Sequence, residues 1–310
     1  MLDVRRLRLL REVDRRGSIA AAAQALAFTP SAVSQQLAKL EREVGVLLLD
    51  RGPRSVRLTE AGLTLVARAD DILARIAEAE NELRALAHQA GSGTIRLSSF
   101  PTAAATVALP AVDLLCGRHP GVEVTVTEAD PLVSLGRLKA GELDVALLYE
   151  YDFVPLPEEE GVELTLLLEE PFLVVLPRGH RAARRRTVAL ADLADEPWIQ
   201  GTRRSSCQPF TRRACRAAGF EPKIAFDFDD YQAMQNLVAG GAGVAMAPEM
   251  ALRTPHPGVE VRPIAFRPPT RRIYAAHVPA TATPLVEEFL SGLRAVSAGR
   301  TADVAARVSG

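Results

Sequence analysis

Apolar positions near the amino terminus recur at helical spacing: Leu7, Leu10 and Val13 form a short stripe opposite a set of arginines. Gly17 suits the C′ position of that helix. Ser18 suits the N-cap of the next, Ile19 to Leu26, whose alanines leave room for another helix to come close. Thr29-Pro30 reads as a third helix start, because the N–H that proline lacks would have no partner at N1. That helix runs to Glu41 with Val33, Leu37 and Leu40 on one face, and Gly45 ends it. Val46 to Leu49 then leads into Asp50-Arg51-Gly52-Pro53-Arg54-Ser55-Val56-Arg57-Leu58, two short extended runs that Gly52-Pro53 folds into a hairpin.

Thr59 caps a longer helix that continues to about His88. Steps of four and three from Leu65 reach Ala69, Ile72, Ile76, Ala79, Leu83 and Leu86, the seam of a short coiled coil; a helix packed on its own domain is the competing reading. Gln89-Ala90-Gly91-Ser92-Gly93 is a small-residue linker and marks a domain boundary. Beyond it, apolar strands alternate with helices: Ile95 to Ser98, a helix to Arg118, Val122 to Val126, Leu132 to Ala140, and Val145 to Leu148. A second set comprises Leu173 to Leu176, Trp198-Ile199, Ile224 to Phe226, a helix from Tyr231 to Ala239, and Val244 to Met246. Ile273 to Ala276 and Pro284 to Val296 close the pattern, which predicts an α/β body with a largely parallel sheet covered by helices.

A length of 310 residues fits about two domains. The longest apolar run, Ala103 to Val112, is far shorter than the roughly 18 residues a membrane span needs, and arginines interrupt the first sixteen positions. Cys116, Cys207 and Cys215 form an odd set without CxxC spacing, neither a disulfide framework nor a zinc pattern. A cytoplasmic chain without metal, cofactor or membrane partner is therefore expected. The net charge of −1 is unevenly spread: residues 1 to 58 hold eleven basic and six acidic side chains, a net of +5, which leaves −6 for the rest. A basic head on an acidic body points to a polyanion as the partner of the head alone.

Two short helices with a tight turn between them make a helix-turn-helix, and the second presents its polar face to the major groove. Thr29, Ser31, Ser34, Gln35 and Lys39 are the candidate contacts: Gln35 can bond adenine N6 and N7, Ser34 can meet a base or a phosphate, and Lys39 suits the backbone. The hairpin would be a wing, with Arg51 and Arg54 reaching phosphates or a narrow minor groove and Arg57 equally placed as a surface strand residue. The block from Leu7 to Gly62, including Gly17-Ser18-Ile19, Ala22-Ala23, Ser31-Ala32-Val33-Ser34, Leu40-Glu41, Gly45 and Leu58-Thr59-Glu60-Ala61-Gly62, resembles the winged helix-turn-helix of LysR-type transcriptional regulators. The family usually places Gln-Pro at the start of its recognition helix. Here Thr29-Pro30-Ser31 moves the proline one place earlier, so its base-contacting glutamine has no counterpart at position 30.

That resemblance implies three parts: a DNA-binding domain over 1–62, a dimerisation helix over 59–88, and a two-lobed effector domain over 94–300 that is similar to periplasmic binding proteins. Lobe I would span 94–167 and 265–297, and lobe II 168–264. It implies a homodimer or homotetramer paired through Leu65, Ile72, Ile76, Leu83 and Leu86, bound to double-stranded promoter DNA and able to meet RNA polymerase.

Ligands of open α/β sheets sit beyond the carboxyl ends of strands. Ser98, Ser99, Phe100, Thr102, Pro131, Tyr149, Gln200, Gly201, Thr202, Asp227 and Asp229 stand at such ends, where hydroxyls and backbone N–H groups suit a carboxylate. The acids at 227, 229 and 230 add the prospect of a cationic group, and so of an amino acid, although Asp230 reads first as the N-cap of the Tyr231 helix. Gly240-Gly241-Ala242-Gly243 precedes a strand and lacks a following Lys-Ser/Thr, so it is a turn rather than a phosphate loop. Five scattered histidines, His88, His119, His180, His256 and His277, without metal spacing or a partnered nucleophile, argue against an enzyme. The alternative within the family is a redox-responsive regulator using Cys207 and Cys215, with nearby arginines favouring thiolate.

Overall fold

The computed structural model describes residues 2–25, 28–51, 56–88, 92–202 and 207–308. Helix α1 (Val4–Arg16) starts at Asp3, whose carboxylate accepts from the Arg5 N–H at 2.8 Å, and ends at Gly17. Ser18 accepts from the Ala21 N–H at 3.1 Å and so caps α2 (Ile19–Ala25). Thr29 caps α3 (Pro30–Val44) by accepting from Ala32, with Pro30 at N1. This helix runs three residues past the expected end at Glu41, and Gly45 closes it in the left-handed region at φ 75°. Leu10, Val33, Leu37 and Leu40 are fully buried and pack with Ala22, Ala23, Leu48 and Leu49 into the core of the head. The alanines of α2 are what let α1 and α3 share that core.

Strands β1 (Leu49–Arg51) and β2 (Val56–Leu58) pair antiparallel, Leu49 opposite Leu58 and Arg51 opposite Val56. Residues 52–55, which carry the Gly-Pro turn and Arg54, lie outside the described residues. Helix α4 (Glu60–His88) follows, its first turn capped by Thr59 accepting from the Gly62 N–H at 3.1 Å. Val66, Ala69 and Leu73 are the buried stripe of α4, while Leu65, Ile72 and Ile76 are half-buried and Leu83 is exposed. Part of the expected seam is thus covered within one chain, Ala69 above all. The side chain of Leu86 lies outside the described residues.

The chain divides into two compact units, Met1–Arg84 with Lys139–Glu142, and Ala85–Leu138 with Leu143–Gly310. The second unit holds a nine-stranded sheet. Its first half contains β3 (Ser92–Ser99), flanked in parallel by β4 (Gly121–Glu128) and β5 (Val145–Tyr151), and then β11 (Thr270–His277), antiparallel to β5. Strand β6 (Glu163–Pro177) pairs antiparallel with β11 up to Pro171 and from Phe172 with β9 (Val244–Pro248), and is flanked beyond that by β10 (Val259–Pro263). Strand β7 (Pro197–Gln200) joins β9 and β8 (Lys223–Asp227) in parallel. The expectation of a largely parallel sheet therefore needs correction: four strand pairings are parallel and four antiparallel. Strands β6 and β11 account for all the antiparallel ones, because each returns along the sheet rather than crossing over it.

Helices cover the sheet. A helical run starts as α5 (Pro101–Ala103), passes through π-helical Ala104–Ala108, and continues as α6 (Leu109–Arg118). Pro110 has no N–H for the Thr106 carbonyl, which breaks the α-pattern at this point; that carbonyl accepts from Arg300 at 3.5 Å. The others are α7 (Pro131–Lys139), α8 (Cys207–Ala217), α9 (Tyr231–Ala239) and α10 (Pro284–Val308). The 240–243 segment is a turn between α9 and β9; at Gly243, φ 154°, a Cβ would lie 2.3 Å from the Pro197 carbonyl oxygen, so only glycine fits.

Candidate functional site

On α3 the apolar face formed by Val33, Leu37 and Leu40 faces inward and leaves Thr29, Ser31, Gln35 and Lys39 exposed, with Ser34 half-buried. Thr29 and Ser31 hydroxyls lie 3.1 Å apart at the amino-terminal end, where backbone N–H groups face outward. Gln36, next to Gln35, is engaged within the head: its Oε1 accepts from Arg6 Nε at 3.1 Å. Arg6 is 8% exposed and also pairs with Glu43, so one of the eleven basic charges ties α1 to α3 and is not available to a polyanion. Arg57 is exposed on β2; the side chain of Arg51 and the whole of Arg54 lie outside the described residues.

In the second unit, Ser98 and Ser99 end β3, Tyr149 lies on β5, Gln200 ends β7 and Asp227 ends β8. Phe100 precedes α5 and offers no side-chain cap to it. The Ser99 carbonyl accepts from Ala129 at 3.2 Å, which holds the loop leading to buried Pro131 beside the end of β3. Phe100 and Tyr149 begin a chain of aromatic contacts, 4.7 Å between ring centroids, that continues through Tyr151 to Phe172 and Phe210. Phe172 and Phe210 in turn wall a recess of about 10 Å³ with Gly201, Asp229, Tyr231 and Met246. The structure thereby links the strand ends of the two sheet halves. The recess has room for about one water.

Polar groups in this region fall into two classes. Ser98 Oγ and Gln200 Oε1 are buried and make no hydrogen bond among the described residues. The three acids are engaged: Asp227 accepts from Gln200 Nε2 at 2.8 Å, Asp229 from Thr202 N at 2.8 Å and its hydroxyl, and Asp230 from the Ala233 N–H as the cap of α9.

Sequence reasoning missed a buried ion pair beside these strand ends. Arg271 on β11 is 1% exposed and lies directly opposite Glu170 on β6. Its Nε reaches Glu170 Oε1 at 2.7 Å, its Nη2 pairs with the same oxygen and with Thr102 Oγ1 at 3.0 Å, and its guanidinium lies 5.1 Å from the centroid of the Phe100 ring. Burial works against the Arg271 charge; Glu170, with Tyr231 and Tyr151, outweighs it and holds the guanidinium protonated above its ordinary range. The Glu170 Oε2 accepts from the Met250 N–H at 2.5 Å, and the Met250 sulfur lies 2.9 Å from Thr106 Oγ1. A signal was present in the sequence: Arg271, Ile273 and Ala275 alternate on one face of the strand, so a buried face for Ile273 and Ala275 puts Arg271 there too.

Cys215 is fully buried on α8, and burial together with Glu221 pushes its thiol up to about 12. Cys207 opens the same helix and its side chain lies outside the described residues. Among the described residues no cluster of metal-ligating groups occurs, and no helix is long and apolar enough to cross a membrane.

Two family models match, one described as bacterial regulatory helix-turn-helix protein, lysR family, over residues 4–63, the other as LysR substrate binding domain over residues 88–298. The probable HTH-type transcriptional regulator LrrA of Synechococcus elongatus is 30% identical, covering 94% of this chain and 97% of its own. Among solved structures, the Corynebacterium glutamicum OxyR C206S mutant with bound H2O2 superposes with a TM-score of 0.59 at 24% identity, over 98% of this chain and 97% of its own. Full-length CbnR in complex with its target DNA gives 0.55 at 22% identity, over 96% and 100%. The chain belongs to the LysR family of DNA-binding transcriptional regulators, with a helix-turn-helix domain followed by an effector-binding domain.

Proposed function

We propose that the head reads promoter DNA with α3 in the major groove, Gln35 and Ser34 facing base edges and Thr29, Ser31, Lys39, Arg51 and Arg54 facing phosphates. The observation that carries this reading is the division of α3: Val33, Leu37 and Leu40 are fully buried and Gln35 and Lys39 stand exposed on the opposite face. Two chains pair through α4, so that two heads meet two half-sites; half-buried Leu65, Ile72 and Ile76 and exposed Leu83 support that seam. The solved DNA complex of the similar CbnR supports the same use of the head.

The effector is a small carboxylate or amino acid held at the strand ends. Ser98 Oγ and Gln200 Oε1, buried and unbonded, support this, since a hydroxyl can donate to a carboxylate and an amide oxygen can accept from an ammonium. Effector binding shifts promoter occupancy by favouring one arrangement of the assembly over another. A thermal-shift screen of amino acids and short carboxylic acids on the full chain, repeated on Ser98→Ala, tests it. A stabilising ligand whose effect shrinks in the variant is expected; stabilisation unchanged by Ser98→Ala refutes the site.

A redox reading draws support from the likeness to OxyR with bound H2O2. Against it, Cys207 and Cys215 lie eight positions apart on one helix, about 12 Å along its axis, whereas a disulfide needs Cα atoms within about 7 Å. Peroxide treatment that alters DNA binding in the wild type and not in Cys207→Ser would favour this second reading.

A further inference from the structure

A buried carboxylate joins the recognition helix to the wing. Glu41, near the end of α3 and 9% exposed, accepts through Oε1 from the backbone N–H groups of Leu48 at 2.9 Å and Leu49 at 3.0 Å. Leu49 opens β1 and Leu48 precedes it, so the acceptor lies on α3 and both donors at the base of the hairpin. The same segment is held from its far side by the start of α4. Thr59 N donates to the Leu48 carbonyl at 3.0 Å, and the Thr59 hydroxyl donates to the Leu47 carbonyl at 2.8 Å. Gly62 comes so close that a Cβ there would lie 2.2 Å from the Leu48 carbonyl oxygen. Leu48 and Leu49 are 1% and 3% exposed, so a hairpin shifted away from Glu41 would leave two N–H groups without water or partner.

We infer that Glu41 is the positioning residue of the wing: its carboxylate sets the hairpin's place relative to α3, so that wing cations meet phosphates in register with the bases that α3 reads. The inference rests on the proposed reading of the wing as a phosphate contact. β1 and β2 are three residues each and pair only with one another, so the hairpin's place depends on what holds its base: the Glu41 carboxylate from α3 and Thr59 from the start of α4. The clamp also makes α3, the hairpin base and the first turn of α4 a single body. A displacement of α4 thus moves both DNA-facing elements together.

The test measures binding of the full-length protein to its own upstream DNA over a range of salt. Glu41→Leu strands both N–H groups; it is expected to weaken binding about tenfold or more and to flatten the salt slope by about 1 to 2 units, near 0.9 for each phosphate that the wing no longer neutralises. Discrimination at the base read by Gln35 stays within about threefold of the wild type, because α3 keeps its own core and caps. Hydrogen exchange of the peptide spanning Val46 to Arg51 becomes faster. Glu41→Gln, whose Oε1 can accept the same two bonds, restores slope and protection. Glu41→Asp, which withdraws the oxygen by one methylene, carries the comparison if the leucine variant does not fold.

A uniform loss with an unchanged slope, unaltered exchange in the 46–51 peptide, or a glutamine variant as impaired as leucine overturns the positioning role. The double variant Arg51→Ala/Arg54→Ala reports the wing contacts alone. A flattened slope there with an unchanged slope in Glu41→Leu overturns the positioning role only. An unchanged slope in the double variant removes the wing contacts and the positioning role with them.

Discussion

The Arg271–Glu170 pair should behave as one unit in stability. The two side chains are 1% and 7% exposed, and the Arg271 guanidinium is bonded to Glu170 through Nε and Nη2 and to Thr102 through Nη2. Arg271→Met leaves the Glu170 charge buried with the Met250 N–H as its hydrogen-bond donor, and Glu170→Leu leaves the guanidinium buried against the Thr102 hydroxyl. Removing one member of such a pair costs about 3 to 5 kcal/mol, whereas exchanging both for apolar groups of similar volume is close to neutral. Each single variant should therefore lose about 3 kcal/mol or more, and the double variant should lie within about 1 to 2 kcal/mol of the wild type, a coupling of at least about 4 kcal/mol. Urea unfolding followed through Trp198 reads this directly: it is the sole tryptophan, fully buried, with Nε1 donating to the Leu193 carbonyl at 3.1 Å. With a slope of about 2 to 3 kcal/mol per molar, the midpoint of either single variant should fall by about 1 M or more. Single variants that move it by less than about 0.3 M, or a double variant as unstable as the sum of the singles, refute the reasoning.

Gln35→Ala should cost about 1 to 3 kcal/mol at one base position only, while Lys39→Ala should weaken all sequences alike and flatten the salt slope by about one unit; anisotropy titrations on operator and random DNA separate the two. Cys215 should resist a thiol reagent at pH 8 until the chain is unfolded, since a thiol pushed up to about 12 is roughly one ten-thousandth ionised there, and mass mapping of the alkylated sites checks it. Glu288 accepts from His119 at 2.9 Å and, more weakly, from Arg118, and these hold its carboxyl below the ordinary carboxylate range. A depressed folded value means that this stabilisation is present above the unfolded pKa of about 4.3 and is lost as pH falls through the folded value. Glu288→Gln should therefore lower stability at neutral pH, leave it unchanged in acid, and so flatten the acid limb of a pH–Tm curve; an unaltered limb disproves the link.

The amino-terminal third was legible because its determinants are local. Gly17, Ser18, Thr29-Pro30, Gly45 and Thr59 each meet a backbone requirement within a few residues of themselves, and each sits where that requirement placed it. Strand direction in the body is a different kind of fact. Glu163 to Leu168 and Val259 to Pro263 became strands through partners far along the chain, β11 for one and the second half of β6 for the other, and no short-range pattern in either segment says which way it runs. The α4 stripe shows the same limit: one helix carries both a face buried within the chain, at Val66, Ala69 and Leu73, and a half-exposed face at Leu65, Ile72 and Ile76. A seam read from spacing alone mixes them. Arg271 was hidden for another reason, since a charge in a strand reads as solvent-facing unless its alternation with Ile273 and Ala275 is followed through.

The place of the Arg271–Glu170 pair in the sheet bears on how an effector signal could arise. Glu170 lies one residue before Pro171, where β6 stops pairing with β11, and two before Phe172, where it begins pairing with β9. The Met250 N–H and sulfur reach Glu170 and Thr106 from the short helix that follows β9, so the junction is bonded from both sheet halves. Rotation of one half against the other has to break or reorient bonds to a buried charge, which favours two discrete arrangements over a continuum. Turning a 1:99 mixture of such arrangements into 99:1 takes about 5.5 kcal/mol of differential affinity. A small polar ligand reaches that figure only if its charged bonds form in one arrangement alone; in the proposed effector site Ser98 Oγ and Gln200 Oε1, buried on opposite halves of the sheet, are the groups whose separation such a rotation would change.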